Sequence, residues 1–194
     1  MTESLDDVYG RRFSDEEAVE KHALWRVICH HLQRYVEEGA TVLDLACDRG
    51  YFIQNITAGE RWATDVRDVS AFLPEEIHFV QTDGLTLDRV LPPASFDVWH
   101  DRAVFHFLTT WDDQQKYLEH LGRVLRMHGS AIIATFAPDG PEKCSGLPVS
   151  RYSPESLAQR LGSGFARVES RRHLHHTPWG STQAFQYSRF IRVN

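Results

Sequence analysis

Long apolar runs, blocks of basic residues and paired cysteines are what this chain has least of, and each shortage removes a class of function. No apolar stretch approaches the roughly 20 residues that a membrane helix needs, and the first residues are acidic and polar rather than signal-like. The expectation is a cytoplasmic protein with no membrane partner. Lys and Arg are scattered, with only short pairs such as Arg171–Arg172, and the formal net charge is −6. That leaves no basic footprint for a nucleic acid partner. Three cysteines, Cys29, Cys47 and Cys144, are an odd number without C-x-x-C spacing, which argues against a disulfide framework and a zinc knuckle. His173, His175 and His176 put an H-x-H pattern on a predicted strand, but no acidic or thiol partner lies at ligand spacing, so no metal is expected. A G-x-S-x-G nucleophile elbow is missing, and the G-x-G-x-x-G of a dinucleotide-binding turn is missing too.

What the chain does have is 194 residues with 42% hydrophobic content, enough for one well-cored domain. Its organising stretch is TVLDLACDRGYFIQ, Thr41 to Gln54, where an apolar run ends in Asp44, small and polar residues follow, and a fresh apolar face begins. This reads as a buried strand, a tight turn and a helix over Tyr51 to Ile56. Ahead of it, Ser14 and Glu17 form a capping box that opens a helix from about Asp15 to near Gly39, with an apolar stripe that includes Trp25. Residues 1–38 are thus an amino-terminal cap helix and 39–194 the core. Tyr9, Arg12 and Trp25 offer themselves as a lid, although the same helix can simply cover a sheet edge.

Further along, Arg61 to Val66 reads as a short strand ending in Asp65, and Ile77 to Gln81 as a third, ending at Asp83 and Gly84. An acidic residue about 20 positions past a turn of this kind is where a nucleotide-binding α/β unit accepts ribose hydroxyls. By itself an Asp after an apolar stretch is more often a turn former or cap, but Asp65 follows Asp44, while Asp83 with Gly84 reads equally as an Asp-Gly turn. Ser70 to Leu73 is too short for a full crossover helix. Ser95 to Trp99 is a fourth strand with His100, Asp101 and Arg102 at its edge, and AVFHFL starts a helical period. Asp112 or Asp113 opens a helix closed by His128 and Gly129, and Ser130 to Phe136 is a buried strand. APDGPEKCSGLPVSRY is one long loop and a candidate lid. Ser153-Pro154-Glu155 starts a last helix, and Phe165 to Arg171 and Ala184 to Val193 alternate as strands joined by HLHHTPWGST.

VLDLACDRGYF resembles the first motif of class I S-adenosylmethionine-dependent methyltransferases, an acidic residue followed by glycines in a D-x-G-x-G-x-G run. Here the run is Asp44, Leu45, Ala46, Cys47, Asp48, Arg49, Gly50, so only the last glycine is kept. Ala46 is a mild change if its φ stays negative, whereas Asp48 adds a charge where backbone usually approaches the cofactor. WHDRAVFHFL closely resembles a block after the fourth strand in a group of small bacterial methyltransferases of broad or unassigned substrate. The N-P-P-Y of amino-group nucleic-acid methylators and the Pro-Cys of cytosine-carbon methylators are absent.

The resemblance implies an α/β fold, a Rossmann-like three-layer sandwich with a mainly parallel sheet and an antiparallel terminal strand. It implies S-adenosylmethionine as cofactor, held by Asp44, Leu45, Ala46, Gly50, Asp65, Val66, Asp83, Gly84 and His100, with Asp83 reading the adenine amino group. For chemistry the candidates are Asp101 and His106, orienting the acceptor or taking its proton, although His106 in an aromatic run is as easily a packing residue. Trp25, Cys144 and Trp179 are candidates for the side that receives a small-molecule substrate. The rival expectation is a cofactor-binding or scaffold protein that has lost catalysis, which Ala46 and Asp48 make credible. Nothing in the sequence sets an oligomeric state.

Overall fold

The computed structural model describes residues 15–177 and 180–194. Ser14, Tyr9, Arg12 and Trp179, and with them the capping box and part of the lid reading, lie outside the described residues. Helix α1 spans Asp15–Leu32 and runs into a single 3-10 turn, Gln33–Tyr35. Strands β1 (Thr41–Leu45), β2 (Glu60–Asp65), β3 (Ile77–Gln81) and β4 (Phe96–Arg102) follow, then α2 (Trp111–Val124) and β5 (Leu125–Phe136). A two-residue hairpin, β6 (Lys143–Cys144) and β7 (Leu147–Pro148), precedes α3 (Pro154–Leu161), β8 (Phe165–His176) and β9 (Thr182–Arg192).

Seven of these strands form one sheet in the order β3-β2-β1-β4-β5-β9-β8. The first five are mutually parallel, β9 is antiparallel to β5, and β8 is antiparallel to β9. Helices cover both faces, as the continuous apolar character of β1 and β5 requires. On one face Leu43, Trp99, Ile133 and Phe190 pack against Tyr117, Leu121 and Val124 of α2 and Leu157 and Leu161 of α3. On the other, Val42, Val98 and Ile132 pack against Ile28, Cys29 and Leu32 of α1. Because strand side chains alternate, Asp44 and His100 project to the α1 face and Asp101 to the α2 face. Among the described residues no helix is long and apolar enough to cross a membrane.

Several elements depart from the sequence expectations. The helix over Tyr51 to Ile56 is absent, and turns occupy the stretch after β1 instead. Asp48 and Gly50 take positive φ (53° and 74°), and side-chain amides then compete for the backbone. Gln54 Nε2 donates to the carbonyls of Arg49 and Phe72, and Asn55 Nδ2 to that of Tyr51. Strand β4 does not stop at Trp99 but continues to Arg102, because β1 pairs it as far as Asp101 and β5 as far as Arg102. The helical period read in AVFHFL amounts to a single 3-10 turn, Phe105–Phe107. Thr110, not an aspartate, caps α2, accepting from the Asp113 N–H, and the helix ends at Val124 rather than at His128. The 137–152 loop is tied down through β6 and β7 and through Ser150 N–H donating to the His106 carbonyl.

Candidate functional site

Asp44 and His100 face each other across the β1–β4 ladder, in register. Their side chains meet at 2.7 Å, Asp44 Oδ1 to His100 Nδ1, and both residues are buried. Burial holds the Asp44 carboxyl above the usual carboxylate range, against the lowering effect of the His100 contact. The His100 ring stacks on Phe52 (centroids 3.6 Å, interplanar 14°) and meets the edge of Trp25 at 6.0 Å. Its Nε2 is buried and has no hydrogen-bond partner among the described residues. A buried ring nitrogen left unpaired costs free energy, so this atom is one a bound molecule can satisfy.

Beyond β1 the chain turns through Ala46 and Asp48, which both adopt left-handed backbone, φ 50° and 53°. The condition attached to Ala46, a negative φ, is therefore not met, and alanine sits where glycine is favoured. Gly50 (φ 74°) packs tightly, since a Cβ there would collide with the Leu73 side chain. The turn is pinned by Cys47 N–H donating to the Thr64 carbonyl at 2.8 Å and Asp48 N–H donating to Asp65 Oδ2 at 3.0 Å. The other Asp65 oxygen accepts from the Arg67 N–H at 3.0 Å and from Arg67 Nε at 3.4 Å. Arg67 Nη2 also donates to Asp48 Oδ1 at 3.2 Å, and Lys21 Nζ lies 3.7 Å from Asp48 Oδ2. The Asp48 charge is thus offset by two cations, a compensation the sequence reading lacked.

These groups open onto one cavity of ≈480 Å³ at the carboxyl edge of the parallel strands. Leu45, Ala46, Asp65, Val66 and His100 line it together with Asp44, and so do Trp25 and Cys144. Gly50, Asp83 and Gly84 do not line it. Asp83 is exposed, and its Oδ1 accepts from Leu85 N–H at 2.8 Å, the turn-forming alternative. Asp101 and His106 are not on the cavity either. Asp101 points to the α2 face, where its carboxylate accepts from the N–H groups of Val104 and Phe105 and from the Tyr117 hydroxyl at 2.7 Å. Burial nevertheless pushes its carboxyl up to about 6. His106 is enclosed between Phe107 and Phe136, and neither ring nitrogen has a partner among the described residues. Burial, and then the Arg102 charge, push its imidazole down to about 3.

Residues that the sequence reading did not assign also line the cavity: Lys21, Arg67, Arg102, His175 and Phe185. Arg67, two positions after a strand-end aspartate, was the available signal that Asp65 would arrive already paired. His175 was visible only as half of an H-x-H pattern. Among the described residues no group of His, Cys, Asp and Glu is placed to hold a metal ion.

Comparison with known proteins bears on this cavity. Solved structures share the fold across nearly the whole chain. The Burkholderia thailandensis 1,6-didemethyltoxoflavin-N1-methyltransferase, solved with 1,6-didemethyltoxoflavin and S-adenosylhomocysteine, is 23% identical, with TM-score 0.69 over 95% of this chain and 83% of that one. A Haloferax volcanii protein solved in complex with the Trm112 methyltransferase activator is 17% identical (TM-score 0.72; 93% and 95% covered). The N-methyltransferase NodS of Bradyrhizobium japonicum, with S-adenosylhomocysteine, is 12% identical (TM-score 0.67; 87% and 86%). No curated protein matches by sequence. The model of the methyltransferase domain family matches residues 30–133, from the end of α1 to the middle of β5, and so takes in the strand-end aspartates and the turn. The chain belongs to the methyltransferase domain family.

Proposed function

We propose that this chain transfers a methyl group from S-adenosylmethionine to a small-molecule acceptor, as a single-domain cytoplasmic enzyme. The observation that carries the reading is the convergence of Asp44, the 46–48 turn, Asp65 and His100 on one cavity at the carboxyl edge of β1, β2 and β4. That edge is where open α/β sheets bind ligands. A volume of ≈480 Å³ lies within the range of small-molecule sites, roughly 300–1,000 Å³. The residues fit the donor. Asp65 already accepts three hydrogen bonds, and a carboxylate offers about four lone-pair sites, so about one remains for a ribose hydroxyl. The unpaired His100 Nε2 supplies a further polar contact, and the Phe52 ring an apolar wall.

When bound, the donor supplies a methyl group already activated by a sulfonium. The protein's part is alignment and exclusion of water, for which rigid walls suffice. Asp44 fixes the His100 ring through Nδ1, which leaves Nε2 free to bond a bound molecule. Asp101 and His106 act away from the chemistry: Asp101 ties the 103–105 backbone and Tyr117 to β4, and His106 fills the space beside Phe136. Trp25, Phe107, Cys144 and Phe185 surround the space for the acceptor. The likeness to an enzyme solved with 1,6-didemethyltoxoflavin supports a small acceptor. Three cysteines without a disulfide fit a reducing compartment.

A second reading, a donor-binding protein without turnover, draws on the pre-paired Asp65 and the left-handed Ala46. Calorimetric titration of S-adenosylhomocysteine tests the donor site. Removing the Asp65 carboxylate forfeits a charge-assisted bond of about 1.5–3 kcal/mol, so Asp65→Ala weakens binding by about tenfold to a hundredfold. Unchanged affinity in a folded Asp65→Ala protein refutes the site, and tight binding without methyl transfer favours the second reading.

A further inference from the structure

Arg102 ends β4 inside the cavity, half-buried, and it differs from the other two cations there. Lys21 and Arg67 are both engaged with Asp48. Arg102 has no carboxylate partner among the described residues. Its Nε donates to the Tyr187 hydroxyl at 3.0 Å, and its guanidinium lies 4.2 Å from the Phe185 ring centroid and 5.3 Å from that of Trp25. Among the described residues its two terminal nitrogens, with four N–H donors in a planar fork, have no hydrogen-bond acceptor. Aromatic faces hold the fork in place without neutralising it. Its uncompensated charge is felt nearby: burial first, and Arg102 next, lower the pKa values of His106, His173 and His175, the last to about 4.

Strand membership sets this cation apart from the aspartates of the cavity. Asp44, Asp48 and Asp65 belong to β1, β2 and the turn between them, whereas Arg102 leans the other way, over the β5–β9 side, onto Phe185 and Tyr187 of β9. Apolar surface from Phe107, Cys144 and Leu174 lines the same cavity. An unpaired fork of donors matches a carboxylate in two-pronged fashion, and an apolar surround suits a flat hydrophobic body attached to it.

We propose that Arg102 is the acceptor-recognition residue of this cavity, and that the acceptor is a small, largely apolar molecule carrying an anionic group, most simply a carboxylate. The proposal rests on the methyl-transfer reading only in naming the occupant an acceptor; anion selection by Arg102 is testable without it.

Benzoate and its neutral isostere benzamide serve as probes, titrated calorimetrically into wild type saturated with S-adenosylhomocysteine, and into Arg102→Gln and Arg102→Lys. S-adenosylhomocysteine itself is titrated into all three. Benzoate is expected to bind wild type at least tenfold more tightly than benzamide. Arg102→Gln loses that preference while its S-adenosylhomocysteine affinity stays within about threefold, and Arg102→Lys, which keeps the charge without the fork, retains part of it. If Arg102→Gln does not fold, the Arg102→Lys comparison decides alone, with a preference undiminished from wild type counting against the proposal. Equal affinities for the two probes in wild type, or binding of neither, overturns it. A tenfold loss of S-adenosylhomocysteine affinity in Arg102→Gln also overturns it, since the fork would then hold the donor's own carboxylate. If wild type fails to bind S-adenosylhomocysteine, the donor reading falls, and benzoate against benzamide on the unloaded protein still decides the role of Arg102.

Discussion

His106 offers a sharp test of how the interior is assembled, because its cost and its benefit change places with pH. The ring is fully buried, both nitrogens lack partners among the described residues, and burial together with the Arg102 charge holds its pKa down to about 3. In the unfolded chain the ordinary value is about 6.5. A depressed folded value means the stabilising contribution is present above about 6.5 and is lost as pH falls toward 3, since the unfolded chain takes up the proton first. At pH 5 the penalty is about 2 kcal/mol, and for a chain of this length that is roughly 4–8 °C in Tm. His106→Leu removes the titration and two unpaired nitrogens at similar volume. Thermal melts at pH 7.5 and pH 5 are therefore expected to show a variant that loses less stability than wild type on acidification, by about 2 kcal/mol. Parallel losses in the two proteins would refute the buried, neutral imidazole. A collapse of turnover in His106→Leu with stability intact would instead return His106 to the chemistry.

Ala46→Gly relieves a left-handed alanine on an exposed turn and is expected to stabilise the protein by about 1 kcal/mol, seen as a Tm increase of roughly 2–4 °C; a lower Tm contradicts the strain argument. Asp101→Asn sets an amide donor against one of the N–H or O–H groups its carboxylate now accepts, at a cost of about 1–3 kcal/mol in urea unfolding, while kcat stays within about threefold. A large kcat loss without destabilisation would make Asp101 catalytic after all.

Much of the scaffold was legible because its signals are local. Apolar runs ending in Asp44 and Asp65 marked two strands to within a residue or two, and Ile77 to Gln81 marked a third without error. Side-chain direction was the weaker inference. His100 and Asp101 are neighbours in sequence but opposite in strand parity, so one reaches the cavity and the other the α2 core. Parity with Val98 and Trp99 would have sorted them, had β4 been carried past Trp99. The lost helix after β1 depended on φ signs at Asp48 and Gly50 and on the amides of Gln54 and Asn55, which leave no periodic trace. The same holds for Ala46, a residue that gives no hint of left-handed backbone. Pairings such as Lys21 with Asp48 join α1 to the β1–β2 turn and exist only once the sheet is assembled.

The methyl transfer to a small acceptor proposed for the cavity beside Asp44, Asp65 and His100 is open to direct assay. Incubating the protein with methyl-labelled S-adenosylmethionine and a pool of small organic acids, then separating small molecules from protein, tests it most directly. The account predicts label in the small-molecule fraction, suppressed by S-adenosylhomocysteine and lost in Asp65→Ala. Label confined to protein, or no label from a protein that calorimetry shows does not bind S-adenosylhomocysteine, would contradict it.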